Sequence, residues 1–209
     1  MNVLVIGGTR GLGRAVVGAA HGAGHTLTAM ARNAAEFAEP TTGIRLVLGD
    51  AADATDVDRA VAEQHAVVWT VGFAPTRRPV DVFSRGTQFL LAAMARHGVR
   101  RLVCVTRLGA GDRRGQRGFL YQRVMQPLLW KSIRADVDRQ ETQVRASAVD
   151  WTIVRPAAMT FGPATGLYQT VTNALPGPHK RISRADVADF IVANLATPDY
   201  VHATVVLAG

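Results

Sequence analysis

Short apolar runs alternate along the chain with longer stretches whose apolar residues recur every three or four positions. A short continuous run is typical of a strand buried on both faces, and the wider spacing is typical of an amphipathic helix. The predicted strands are residues 3–7, 25–31, 44–50, 66–72, 101–106, 151–156 and 204–208. The predicted helices are residues 12–23, 55–63, 80–97, 119–147 and 183–196.

Local signals mark several helix ends. Thr55-x-x-Asp and Ser183-x-x-Asp are capping patterns that predict two helix N-termini. Gly98 follows the third helix at a stop position. Pro127 is predicted to break or kink the fourth helical stretch.

Strands separated by helices predict parallel βαβ units. The sequence therefore predicts an α/β fold, a doubly wound parallel sheet of about seven strands, as a single domain over residues 1–209. In such folds the ligand lies beyond the carboxyl ends of the strands. The acceptor site is expected in the loops at 71–79, 106–118 and 156–182.

A glycine loop joins the first strand to the first helix in the stretch LVIGGTRGLGRAV. The spacing is Gly7-x-x-x-Gly11-x-Gly13, which permits a tight turn and close backbone approach to a ligand. The following helix N-terminus would present N–H groups to a pyrophosphate, and Thr9 can add a hydroxyl donor. We therefore predict nucleotide binding, against the alternative of a merely structural turn.

The residues after the second strand bear on the choice of cofactor. NAD enzymes usually carry an acid there, but no acid occurs between Ala29 and Glu36. Arg32 is placed to meet a 2′-phosphate, with help from Arg10, so NADP(H) is predicted over NAD(H). Asp50, with Ala51 beside it, is expected to face the adenine. The alternative for Arg32 is a solvated loop residue. The alternative for Asp50 is that it caps a helix within GDAAD.

Composition narrows the class of protein further. The net charge is +8, and all but two of the 24 basic residues are arginines, so an anionic partner or a compositional bias of the genome is expected. No apolar run is long enough to span a membrane, and no signal peptide is evident, so a cytoplasmic location is predicted. The single cysteine, Cys104, excludes an internal disulfide, and no metal spacing is present.

With these residues placed, the chain resembles the short-chain dehydrogenase/reductase superfamily. GGTRGLG has the glycine spacing of its commonest branch. The remainder is similar to its atypical branch of single-domain NAD(P)H-binding Rossmann-type proteins, through GDAADATDVDRAV, LLAAMARHGVRRLVCVT, DWTIVRP and RISRADVADFIVANLATPDY. The nearest resemblance is to the biliverdin-IXβ reductase (flavin reductase) family, through TGLYQTV and GPHKRIS.

The resemblance implies roles for further residues. Leu12 would join the glycines, Thr9 and Arg10 around the pyrophosphate. Those lining the ribose–nicotinamide path would be Thr70, Val71 and Gly72. Those near the nicotinamide would be Cys104, Thr106, Pro156 and Met159. Arg181 matches an arginine near the substrate pocket of the flavin reductases.

The superfamily's usual catalytic pair, Tyr-x-x-x-Lys, is absent, because Met125, Thr172 and Thr204 stand four residues after the three tyrosines. The flavin reductases also have a serine where this chain has Arg107 and a histidine where it has Ala158. Arg107 and Thr106 are the candidate catalytic residues, Arg107 by binding an acidic acceptor or stabilising negative charge. The alternative for Arg107 is a surface position. The remaining candidates for the acceptor pocket are Phe73, Tyr121 and Tyr168.

Three functions follow from this pattern. The first is an NADPH-dependent reductase of a flavin, quinone or similar conjugated acceptor, which can take its proton from water. The second is a non-catalytic NADP(H) sensor of the NmrA-like type. The third is a specialised dehydrogenase, isomerase or epimerase in which Thr106, Tyr121 or Tyr168 transfers the proton. The expected partner is a small anionic or aromatic acceptor, nucleic acid is disfavoured because stacking aromatics are few, and the chain is a monomer or homodimer.

Overall fold

The computed structural model describes residues 1–33, 43–72, 79–106, 126–172 and 181–209, with only the backbone at 126–130. Within these ranges there are ten strands: β1 (Asn2–Ile6), β2 (Thr26–Ala31), β3 (Ile44–Leu48), β4 (Ala66–Trp69), β5 (Arg101–Val105), β6 (Asp150–Pro156), β7 (Met159–Thr160), β8 (Gln169–Thr172), β9 (Ile182–Ser183) and β10 (Ala203–Ala208). The described residues also form five helices, α1 (Gly11–Gly22), α2 (Ala54–Val61), α3 (Val82–His97), α4 (Gln126–Ala146) and α5 (Arg184–Ala193).

The main sheet has eight strands in the order β3-β2-β1-β4-β5-β6-β10-β8. Its first seven strands are parallel, and only β8 runs antiparallel, against β10. These parallel strands are the seven predicted from the sequence, so the predicted fold class is confirmed. The strand order reverses between β1 and β4, and such a reversal opens a crevice at the carboxyl ends of the strands.

Helices cover both faces of this sheet. Val3 and Val5 of β1 pack on one face with α1 and α5, whereas Leu4 and Ile6 pack on the other with α2, α3 and α4. All four side chains are almost fully buried. Burial on both faces explains why the strands appear in the sequence as continuous apolar runs and not as alternating ones.

The predicted signals at three helix starts can be compared with the structure. The N-cap of α2 is Asp53, whose carboxylate accepts hydrogen bonds from the N–H groups of Thr55 and Asp56, so the Thr55 pattern does not supply the cap. Asp53 is favoured because it can reach both N–H groups from an extended backbone. Pro127 lies in the first described turn of α4, where a missing N–H costs little. The residues before Gln126 lie outside the described part of the chain, so the break or kink at Pro127 stays a prediction. The predicted cap at Ser183 is confirmed.

Part of the predicted acceptor loop at 156–182 is ordered as short strands. β7 and β9 form a two-stranded parallel sheet, with Met159 paired to Ile182. β8 adds to the edge of the main sheet, with Val171 opposite Val206. Strands of two to four residues are too short for an alternating pattern to stand out.

Candidate functional site

The glycine loop connects β1 to α1 at the strand-order reversal. Gly7 has a φ of +85° and Gly11 a φ of +56°, which is the left-handed region that side-chain-bearing residues rarely adopt. A Cβ on Gly7 would lie 3.1 Å from the backbone of Thr70 and Val71. The turn after β1 therefore passes directly against the segment that leaves β4.

Gly13 closes the loop against the helix. A Cβ at this position would overlap the carbonyl oxygen of Gly7 and would lie 2.6 Å from the Thr70 hydroxyl. That hydroxyl is itself fixed, since it donates a hydrogen bond of 2.9 Å to the carbonyl oxygen of Ile6. The structure thus brings Gly7, Gly13 and Thr70 together in one packed unit, a cradle that any side chain at 13 would fill.

The N-terminus of α1 has no acidic residue in its first turn, and its N-cap residue, Arg10, makes no side-chain capping bond. The other helices whose first turns are described are capped by side chains. Asp53 caps α2, Ser183 caps α5, and Asp136 accepts a 2.9 Å bond from the Phe83 N–H at the start of α3. Because a helix N-terminus attracts negative charge, this contrast fits an anionic ligand at α1.

The candidate adenosine end lies at the carboxyl ends of β2 and β3. Arg32 is exposed and directly follows β2, and the N–H of Gly49 ties the end of β3 to the carbonyl of Ala31. Asp50 is half-buried and accepts a 2.9 Å bond from the Ala52 N–H, which shapes the turn. The aspartate of GDAAD that caps a helix is Asp53 and not Asp50, and a contact of Asp50 with the adenine remains a prediction.

The residues expected near the nicotinamide lie where β5 and β6 end, and they are mostly buried. Burial raises the pKa of the Cys104 thiol far above its ordinary value, so this cysteine is an inert packing residue. Thr106 is only 3% exposed, and its hydroxyl donates a 2.7 Å hydrogen bond to Glu141 of α4. Pro156 is buried and Met159 is half-buried. Cofactor contact by these residues remains a prediction.

Glu141 forms a buried charge network beneath the same strand ends. It accepts hydrogen bonds from Arg155 of β6, from Arg145 at 2.7 Å and from Thr106. Burial alone would raise the pKa of this carboxyl, but the bonds from Arg155 and Thr106 outweigh it, and the pKa is lowered. Glu141 is not among the site residues predicted from the sequence. The available signal was Arg155, a charged residue inside an apolar strand, which requires a buried partner.

Three of the predicted acceptor-pocket residues lie in the described part of the chain. The β7–β9 pairing brings Ala158 and Arg181 together, because the Ile182 N–H donates to the Ala158 carbonyl. Tyr168 packs edge-on against Phe190 of α5, and burial together with the charges of Asp186 and Asp189 raises its pKa. A raised pKa disfavours a tyrosinate base. The other three, Phe73, Arg107 and Tyr121, lie outside the described residues.

A loop between β7 and β8 displays two large apolar side chains at this edge. Asp186 of α5 fixes the loop by accepting bonds from the N–H groups of Thr165 at 2.7 Å and Gly166 at 2.8 Å. The exposed side chains are Phe161 at 88% and Leu167 at 81%. Both side chains are therefore accessible on a loop whose backbone is held in place.

Two absences apply to the described part of the chain. Within it, no group of three or more histidine, cysteine, aspartate or glutamate side chains is arranged to hold a metal ion. Among the same residues, no helix combines the length and the apolarity that a membrane crossing requires.

The fold and the glycine cradle define a Rossmann-type nucleotide-binding protein. A family model described as NAD(P)H-binding matches residues 7–198, and the chain belongs to that family.

Three solved structures illustrate the likeness in fold. A Rossmann-fold NAD(P)-binding family protein from Shigella flexneri is 22% identical with a TM-score of 0.74, and the match covers 99% of this chain and 92% of that one. ChuY, an anaerobilin reductase from Escherichia coli O157:H7, is 22% identical with a TM-score of 0.77, covering 100% and 97%. A short-chain dehydrogenase/reductase from Veillonella parvula in complex with NADP is 14% identical with a TM-score of 0.79, covering 100% and 94%.

Proposed function

We propose that the protein is an NADPH-dependent reductase that transfers hydride to a flavin, a quinone or a similar conjugated acceptor. The observation that carries this proposal is the state of the proton donors at the strand ends. The Thr106 hydroxyl donates its hydrogen bond to Glu141 and is not directed at a ligand, and the pKa of Tyr168 is raised. A conjugated acceptor can take its proton from water, so the reaction needs no acid from the protein.

The residues present fit the dinucleotide. Gly7, Gly13 and the start of α1 would hold the pyrophosphate, and Asp50 would lie at the adenine. Arg32 would bind the 2′-phosphate, with Arg10 nearby, and a planar guanidinium suits a phosphate. The preference for NADP(H) over NAD(H) is part of this proposal.

The bound cofactor would supply the hydride, and the protein would hold the acceptor in position against it. Stacking the acceptor on the nicotinamide and excluding competing reactions are sufficient for hydride transfer between them. The exposed Phe161 and Leu167 offer an apolar wall for a planar acceptor. Arg107 remains the proposed contact for an anionic group of that acceptor.

NADPH oxidation with FMN and with quinones tests the proposal. We expect acceptor-dependent loss of NADPH absorbance, and a weaker response with NADH. Arg32→Gln should raise the KM for NADPH and leave that for NADH unchanged. Tight NADPH binding without oxidation across a panel of flavins and quinones would refute the reductase.

The second candidate is a non-catalytic NADP(H) sensor, which the missing Tyr-x-x-x-Lys pair favours. A sensor should bind NADPH and NADP⁺ with similar affinity and should not turn over. A pull-down that recovers a partner only when cofactor is present, together with no turnover, would favour the sensor over the reductase.

A further inference from the structure

Arg184 is a cationic side chain beside the glycine loop and is not among the site residues predicted from the sequence. It is the first residue of α5, which packs beside α1 on the same face of the sheet. Its Nε lies 3.8 Å from the point where a Cβ on Gly11 would stand. The guanidinium therefore lies next to the first turn of α1.

Two contacts fix the orientation of this guanidinium. One Nη donates a 3.0 Å hydrogen bond to the carbonyl oxygen of Thr160. The Arg184 Cζ also lies 3.8 Å from the ring centroid of Phe161, which is a stacked cation–π geometry. This stacking gives the exposed Phe161 ring a second role, and the remaining N–H donors of the guanidinium are still available to a ligand.

The charge of Arg184 lacks a carboxylate partner among the described residues. Arg59, Arg96, Arg139 and Arg145, by contrast, each pair with an aspartate or glutamate. Burial lowers the pKa of Arg184, but an arginine stays protonated in proteins.

The helix termini around Arg184 make its position electrostatically unfavourable. A cation at the N-terminus of α5, and close to that of α1, is opposed by both helix dipoles. Asp186 is the acid in the same turn, and its oxygens already accept bonds from Ser183, Thr165 and Gly166. An anion bound between the two helix ends would offset this repulsion.

We propose that Arg184 binds the pyrophosphate of the dinucleotide, with Phe161 holding the guanidinium in place. The site lies on the α5 side of the glycine loop, whereas Arg32 lies beyond β2 on the other side. The proposal rests on the cofactor-binding half of the proposed function and not on the acceptor. Because NAD(H) and NADP(H) share a pyrophosphate, Arg184 should support the binding of both.

Isothermal titration of NADPH and NADH into the wild type, Arg184→Gln and Arg32→Gln tests this role. Losing a charge-assisted hydrogen bond to phosphate should weaken the affinity of Arg184→Gln for both cofactors by roughly 10- to 100-fold. Arg32→Gln should weaken NADPH binding alone. Phe161→Ala should produce a smaller loss for both cofactors, since it removes only the support of the guanidinium.

Arg96→Gln is the matched control, because it removes the same charge at the C-terminal end of α3, far along the chain from the loop. Its affinities should equal those of the wild type. Circular dichroism and thermal unfolding show that each variant is folded, and Arg184→Lys provides a second test, with intermediate affinity expected.

Each remaining outcome decides the question. Unchanged affinity of Arg184→Gln for both cofactors would overturn the proposal, and so would a loss confined to NADPH, which would place the guanidinium at the 2′-phosphate. Failure of the wild type to bind either cofactor would also overturn it. If Arg184→Gln weakens the binding of both cofactors but the wild type reduces no acceptor, the role of Arg184 is supported and the reductase function is refuted.

Discussion

The Gly13→Ala substitution probes the cofactor cradle most sharply, because it adds a single methyl group where the loop meets α1. The new Cβ would overlap the Gly7 carbonyl oxygen and would lie 2.6 Å from the Thr70 hydroxyl, whereas an ordinary contact begins at 3.4 Å. Neither neighbour yields easily, since one is backbone and the other is hydrogen-bonded to Ile6. The loop must therefore move away from the helix by about 1 Å, the order of that overlap.

The expected cost follows from this geometry. Overpacking of a tight site costs about 1–3 kcal/mol, and for a chain of this length each kcal/mol lowers the Tm by about 2–4 °C. The displaced loop also loses its alignment with the phosphate, so NADPH affinity should fall at least about tenfold. Thermal unfolding without ligand and titration calorimetry with NADPH measure the two effects separately.

Gly18→Ala is the matched control. Gly18 is an exposed position of the same helix, and a Cβ there would meet nothing within 4 Å. Alanine should stabilise the helix by up to about 1 kcal/mol and leave NADPH affinity unchanged. If Gly13→Ala behaved like Gly18→Ala in both assays, the close approach of loop and helix would not be required, and the reasoning would be refuted.

Three further predictions concern the charged and phenolic groups near the strand ends. Glu141→Gln should lower the free energy of unfolding by about 2–3 kcal/mol, which is less than for a fully buried ion pair because its arginine partners are partly exposed. Glu63→Gln, at an exposed ion pair, is the control and should change it by less than about 0.5 kcal/mol. Equal Tm values for the two variants would contradict this. The pKa values of Glu141 and Asp186 are lowered in the folded protein, so these carboxylates stabilise the fold at pH values above their unfolded pKa of about 4. This contribution is lost as the pH falls below that value. A Tm that stays constant between about pH 5 and about pH 3 would count against this. Tyr168→Phe should leave the rate of NADPH oxidation within about twofold of the wild type, since its pKa is raised, and a tenfold fall in kcat with an unchanged KM would instead assign it the proton transfer.

The sheet was predictable because its physical cause is local. Strands such as β1 are buried on both faces and therefore appear as short apolar runs, and Gly7, Gly11 and Gly13 mark a turn that few other sequences permit. The crowding of Gly13 against Gly7 is a direct expression of the glycine spacing. Helix boundaries were harder to predict. For α2, Thr55 and Asp53 are both suitable N-cap residues and lie within one turn of each other.

The rest of the site depends on contacts between distant residues. Glu141 meets Thr106 and Arg155 only after α4 has packed beneath the ends of β5 and β6. Arg184 reaches Gly11 only because α5 packs beside α1. No periodicity or motif spacing encodes such meetings, so sequence patterns could indicate that Arg155 needs a partner but not which residue provides it.

The central claim is that the protein binds NADPH at the glycine loop and passes its hydride to a conjugated acceptor without an acid of its own. Anaerobic single-turnover mixing of the protein–NADPH complex with FMN tests it most directly, with NADPH deuterated at the transferred position as the comparison. We expect NADPH oxidation in step with FMN reduction and slowed by deuterium. The amplitude should be reduced in Gly13→Ala at NADPH concentrations that just saturate the wild type, and it should be preserved in Tyr168→Phe. A complex that holds NADPH tightly and never passes its hydride to FMN or to a quinone would contradict it.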